Sequence, residues 1–128
     1  MIVELKHPSE DVRIMIEDDG RVCYAYFMKG AHTTGHVWLY NVSPAPSSIE
    51  EQERGVAPLN PAPLVKAIIG PRPTRSEDIE GNWLINEENA VECGIYIFGH
   101  LTARLADGER PGYCSNAAED GPLAFTYE

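Results

Sequence analysis

Basic residues are scarce in this chain: 10 lysines and arginines stand against 20 aspartates and glutamates, for a net charge of −10 and a pI near 4.7. Such a chain repels phosphate backbones, so nucleic acid is not an expected partner. Long hydrophobic runs are missing too. Nothing approaches the roughly 20 apolar residues that cross a bilayer as a helix, and no membrane association is expected. Residues 1–6 lack the basic segment and long apolar region of a signal peptide, which points to the cytosol. Cysteine is limited to Cys23, Cys93 and Cys114. An odd count with no C-x-x-C pair argues against a disulfide framework or a zinc knuckle. The sequence contains no G-x-S-x-G, H-E-x-x-H, G-x-x-x-x-G-K or G-x-G-x-x-G motif. No catalytic residue, metal or cofactor is therefore expected, and the chain reads as a non-enzyme.

What is present is a β-meander written twice. Ile14-Met15-Ile16-Glu17-Asp18-Asp19-Gly20-Arg21-Val22-Cys23-Tyr24-Ala25-Tyr26-Phe27-Met28 is matched by Trp83-Leu84-Ile85-Asn86-Glu87-Glu88-Asn89-Ala90-Val91-Glu92-Cys93-Gly94-Ile95-Tyr96-Ile97. Each copy runs on into a Gly-His pair and an apolar strand, at Gly35-His36-Val37-Trp38-Leu39-Tyr40 and Gly99-His100-Leu101-Thr102-Ala103-Arg104-Leu105. Val12, Ile14 and Ile16 alternate with polar neighbours as a half-buried strand should. Asp18-Asp19-Gly20 and Glu87-Glu88-Asn89 supply the turns. The strand from Val22 to Met28 is apolar on both faces, which suits a central, covered position. One offset maps Ile16 to Ile85, Val22 to Val91, Tyr26 to Ile95 and Met28 to Ile97, and Val22, Tyr26, Val91 and Ile95 are all expected to be buried. A longer hairpin loop in the first copy, Gly30-Ala31-His32-Thr33-Thr34, accounts for the different spacing of the Gly-His pairs.

At 128 residues and 43% hydrophobic, one domain with a real core is expected. It should be mainly β, a two-layer antiparallel sandwich or barrel-like fold built from pseudo-repeated three-stranded meanders at 12–40 and 82–105. Residues 1–6 fit one more short strand. Between the copies, residues 43–75 carry Pro44, Pro46, Pro58, Pro61, Pro63, Pro71 and Pro73. Prolines remove ladder donors, so this stretch reads as an ordered wrap over the sheet. Two helical turns fit inside it. One is at Ser48-Ile49-Glu50-Glu51, with capping-box spacing and Gly55 as its end. The other follows Asn60-Pro61, with Leu64 and Val65 as its buried face. Residues 115–120 suit a helical turn stopped by Gly121-Pro122, and Leu123, Phe125 and Tyr127 a last strand.

Several groups invite a chemical reading. His36 and His100 hold equivalent places and could share a proton or a metal. With no third ligand at fixed spacing, the plainer reading is two unliganded, solvent-facing imidazoles. The acids Asp18, Asp19, Glu87 and Glu88 lie in turns, where acids belong anyway. Cys23 and Cys93 sit among apolar residues, while Cys114 is expected to be the exposed thiol. Trp38 and Tyr40 share a strand face with His36. They form either an aromatic protein-binding patch or the floor beneath the Pro-rich wrap.

The stretches Val37-Trp38-Leu39-Tyr40-Asn41-Val42-Ser43-Pro44-Ala45-Pro46, Leu59-Asn60-Pro61, Pro111-Gly112-Tyr113-Cys114 and Asp120-Gly121-Pro122-Leu123-Ala124 resemble those of a family of small bacterial cytosolic proteins with no assigned function. The resemblance implies a bacterial source and a compact β-rich domain, and it carries over no site residues.

Two functional expectations follow. The first is a non-enzymatic binding protein that meets a basic protein partner by electrostatic steering, as toxin-immunity proteins do. Its surface would comprise Asp18, Asp19, His36, Trp38, Tyr40, Glu87, Glu88 and His100. The second is a small-molecule or metal-binding protein with its cleft between sheet and Pro-rich segment. Self-association is compatible with both.

Overall fold

The computed structural model describes residues 1–50 and 55–127. Two four-stranded antiparallel sheets form the protein, each a simple meander. Sheet one comprises β1 (Ile2–Lys6), β2 (Val12–Asp18), β3 (Val22–Lys29) and β4 (His32–Asn41). Sheet two comprises β5 (Ile79–Ile85), β6 (Val91–Ile97), β7 (His100–Ala106) and β8 (Tyr113–Cys114). The fold is the expected mainly β, sandwich-like one, with a three-stranded meander and one further strand in each sheet.

The core lies between the sheets. Ile14, Ile16, Cys23, Ala25, Phe27 and Val37 from sheet one, and Cys93, Ile95, Ala103 and Leu105 from sheet two, are fully buried. Each larger aliphatic or aromatic side chain among them is worth about 1.5–3 kcal/mol in burial. The Phe27 and Trp83 rings meet edge-on at 6.0 Å across the layers. A Cβ on Gly81 would lie 3.1 Å from Leu5 Cδ1, so the absence of a side chain there lets the sheets approach.

The turns follow their chemistry. Asp19 Oδ1 accepts from the Arg21 and Val22 amides, Asp18 Oδ1 accepts from the Gly20 amide, and Gly20 takes φ 86°. In sheet two the organiser is Asn86, whose Oδ1 accepts from the Glu88 and Ala90 amides, with Asn89 at φ 61°.

The residue match between the copies slips by one position. Cys23, Ala25 and Phe27 point inward from β3, and Cys93, Ile95 and Ile97 are their counterparts on β6. Side chains alternate with a period of two, so the one-residue change exchanges faces. Val22 is buried, but beneath the wrap; Tyr26 and Val91 are only half-buried.

The long hairpin loop of the first copy is absent. Lys29 pairs with His32 around a two-residue Gly30-Ala31 turn, and β4 takes up the surplus as bulges that leave Thr34 and Leu39 without partners in the register. The bulge at Leu39 turns Tyr40 inward, opposite Cys23, away from the face of His36 and Trp38.

The Pro-rich segment is the expected wrap, with a 3-10 turn at Ala62–Leu64; a second 3-10 turn, Ser76–Asp78, follows the segment and leads into β5. Leu64 and Val65 are half-buried. Residues 48–50 are not helical, and Glu51 lies outside the described residues. Residues 115–120 form no helical turn of the expected kind. Their backbone bonds the wrap instead, through Ala118 N to Leu64 O, Lys66 N to Asn116 O and the Val65–Ala117 bridge. The last strand reduces to one parallel bridge between Tyr113 and Phe125. The segment from 109 to 123 also closes the edge of β4, where His36 N and Trp38 N donate to the Glu109 and Leu123 carbonyls at 2.9 Å each.

Candidate functional site

Two clefts open beneath the Pro-rich segment. The first lies on the outer face of sheet one and encloses about 630 Å³. Strand pairing builds its floor, because Glu17 sits opposite Tyr24 and Tyr26 opposite His36. The Tyr24 and Tyr26 rings stack 6.0 Å apart with 16° between their planes. Tyr24 Oη donates to the Pro58 carbonyl at 2.7 Å, which fixes one wall. Glu17 and Asp19, both exposed, line the same cleft. Burial holds the His36 pKa below 6.5, and the charge of Arg110 lowers it further. Burial raises the Tyr26 phenol, and the carboxylates of Glu17 and Asp19 add to that.

The wrap is tied down at both ends of this cleft. Arg21 Nη1 donates to the Ala57 carbonyl at 2.7 Å and its Nη2 pairs with the Glu50 carboxylate. Glu50 Oε1 in turn accepts from the Leu59 amide at 2.7 Å. Further along, Asn41 Oδ1 accepts from the Asn60 amide while Asn41 Nδ2 donates to the Asn60 carbonyl. Arg72 then grips Asp18, whose second carboxylate oxygen also accepts from Tyr40 Oη at 2.7 Å.

The second cleft, about 380 Å³, lies between the wrap at residues 69–73 and the β6–β7 turn. Ile69, Phe98 and Leu101 supply apolar walls, and Arg72, His100 and Asn116 the polar ones.

The residues expected to form one surface are therefore divided. Asp19, Glu87, Glu88 and His100 are exposed. His36 is half-buried in the first cleft, so the fully solvent-facing imidazole expected there is corrected, while His100 lines the second. Asp18, Trp38 and Tyr40 are buried and offer no free surface. Trp38 lies under the wrap, with Nε1 donating to Asn41 Oδ1 at 2.9 Å. Asp18 is sequestered because a turn carboxylate with an arginine and a tyrosine partner loses less by leaving water. Cys114, expected exposed, is fully buried, and burial pushes all three thiols up to about 12.

Arg21, Asn41 and Arg72 were not singled out from the sequence, and Glu50 was read only as part of a capping box, although all four organise the clefts. Only Arg72 carried a local signal, as a cation held between Pro71 and Pro73 in extended backbone. Among the described residues, no three His, Cys, Asp or Glu side chains converge as metal ligands, and no helix is long and apolar enough to cross a membrane. Comparisons with protein families, with characterised proteins and with solved structures find no match to this chain.

Proposed function

We propose that this protein is a binding module, not an enzyme, and that it captures a basic protein partner by seating a lysine or arginine side chain in the first cleft. The observation that carries this reading is the joining of two carboxylates, Glu17 and Asp19, to the stacked Tyr24 and Tyr26 rings in one open cleft. A cation gains from both, by Coulomb attraction and by contact with the half-buried Tyr26 ring, which the buried Tyr24 ring backs. The net charge of −10 adds a field that speeds the approach of such a partner and repels nucleic acid. The buried, high-pKa thiols support binding over nucleophilic chemistry. Three unpaired cysteines fit a reducing cytosol. The role is immunity-like in its physics, a small acidic domain covering a basic surface.

The test is calorimetric titration with an arginine-rich peptide at low and moderate salt. Binding should weaken as salt rises, and Glu17→Gln combined with Tyr26→Ala should cost about tenfold in affinity. Salt-independent binding, or affinity unchanged in the double variant, overturns the assignment.

A further inference from the structure

The second cleft differs chemically from the first. In a chain with twice as many acids as bases, not one of its lining residues is a carboxylate. Its charged and titratable lining consists of Arg72 and His100, apart from the inward-turned phenol of Tyr40. Asp18 is the nearest acid that the guanidinium touches. It engages Arg72 through Nε at 2.8 Å and Nη2 at 3.1 Å. A guanidinium has five N–H donors, so the pairing with Asp18 and the neighbouring Tyr40 hydroxyl orients the group without using every donor. Half of the Arg72 side chain remains open to solvent.

The opposite wall is apolar and unusual. Phe98 adopts φ 50°, a left-handed conformation that bulky side chains avoid, at the first position of the Phe98-Gly99 turn. Asparagine or glycine would take that position without strain. Phe98 nevertheless remains 43% exposed at the cleft, beside Leu101 at 40%. A strained backbone that presents an exposed aromatic residue beside oriented donors is the kind of compromise found where a ligand binds.

We infer that the cleft between residues 69–73 and the β6–β7 turn binds a small aromatic carboxylate, its ring against Phe98 and Leu101 and its anionic group towards Arg72 and His100. The volume, about 380 Å³, is at the small end for ligand sites and suits one or two fused rings. This site is independent of the cationic site on sheet one.

The probe is 2-naphthoate, with the neutral 2-naphthamide as its control, followed by NMR shift mapping and calorimetry on the full chain. Saturable binding of the carboxylate should shift Phe98, Leu101 and His100, and the amide should bind about tenfold more weakly because it lacks the charge that strengthens hydrogen bonds to a guanidinium. Arg72→Gln should weaken the carboxylate but also removes the partner of Asp18, so Phe98→Gly is the decisive variant. Glycine relaxes the left-handed turn, so the melting temperature should hold or rise while naphthoate affinity falls about tenfold with loss of the ring contact. Three results overturn the inference: no saturable binding at millimolar probe, equal binding of amide and carboxylate, or shifts that map to Tyr24 and Tyr26 instead.

Discussion

Arg72 reaches out of the Pro-rich segment and closes two hydrogen bonds, at 2.8 and 3.1 Å, on the carboxylate of Asp18 at the end of β2. The acid is only 3% exposed, and its partner comes from 54 positions along the chain. This pair joins a turn of sheet one to the segment that roofs both clefts. Burial pushes the Asp18 pKa up, but hydrogen bonds from Arg72, Tyr40 and the Gly20 amide outweigh it and leave the pKa below 3.8.

Asp18→Asn should therefore destabilise the protein by roughly 2–3 kcal/mol, below the full cost of breaking a deeply buried pair because Arg72 is half-exposed. The sign with pH follows from the depressed carboxyl. Its contribution is complete above the unfolded value of about 3.9 and is lost as pH falls through the lower folded value. Urea unfolding of the wild type and Asp18→Asn should give curves that converge in acid. A gap that stays constant down to pH 2 would show that the pair carries no ionic contribution.

Burial of His36 should make stability decline with falling pH in a second, higher range. Its folded pKa lies below 6.5, so the unfolded chain takes up the proton first as pH drops. Stability is complete above about pH 6.5 and declines as pH falls towards the folded value. An NMR titration should place the His36 midpoint below 6.5, and His36→Gln should remove part of the decline in stability through that range. A midpoint at or above 6.5 would contradict the burial seen in the first cleft.

The two Gly-His pairs rest on different physics, and alanine scanning should separate them. A Cβ on Gly35 would lie 2.8 Å from the Glu109 carbonyl and 3.1 Å from that of Ala106, so Gly35→Ala must push backbone apart and should cost about 1–3 kcal/mol. Gly99 has open space around it but takes φ 78°, so Gly99→Ala should cost about 1 kcal/mol through backbone strain alone. Gly70, with neither constraint, should tolerate alanine without loss. Thermal melts of the three variants should fall in that order.

Thiol chemistry gives a fourth test. All three cysteines are buried and free, with pKa values pushed up to about 12 by burial. A disulfide reagent at neutral pH should find no fast-reacting thiol in the native protein and three after denaturation. Rapid modification of Cys114 before unfolding would restore the exposed position that its sequence setting suggested.

Local patterning determined the strands, their meander order and the role of the proline-rich stretch as a cover. Period-two alternation at Val12, Ile14 and Ile16, turn chemistry at Asp18-Asp19-Gly20 and the seven prolines each act over a few residues and can be read directly. The alternation also marked the buried face of β2, but the tertiary structure alone decided which faces β3, β6 and the end of β4 bury and which polar groups survive inside. The Leu39 bulge that turns Tyr40 inward is invisible in an alternating sequence, because one inserted residue reverses every later side chain without changing composition. Asp18 reads as a solvated turn acid until Arg72 arrives from the far end of the wrap. Cys114 reads as a loop thiol until the wrap and β4 close over it, its Sγ lying 3.5 Å from the Leu39 carbonyl. Pairings across such separations depend on how two sheets and a roof meet, and a burial decision belongs to that meeting and not to the residue itself.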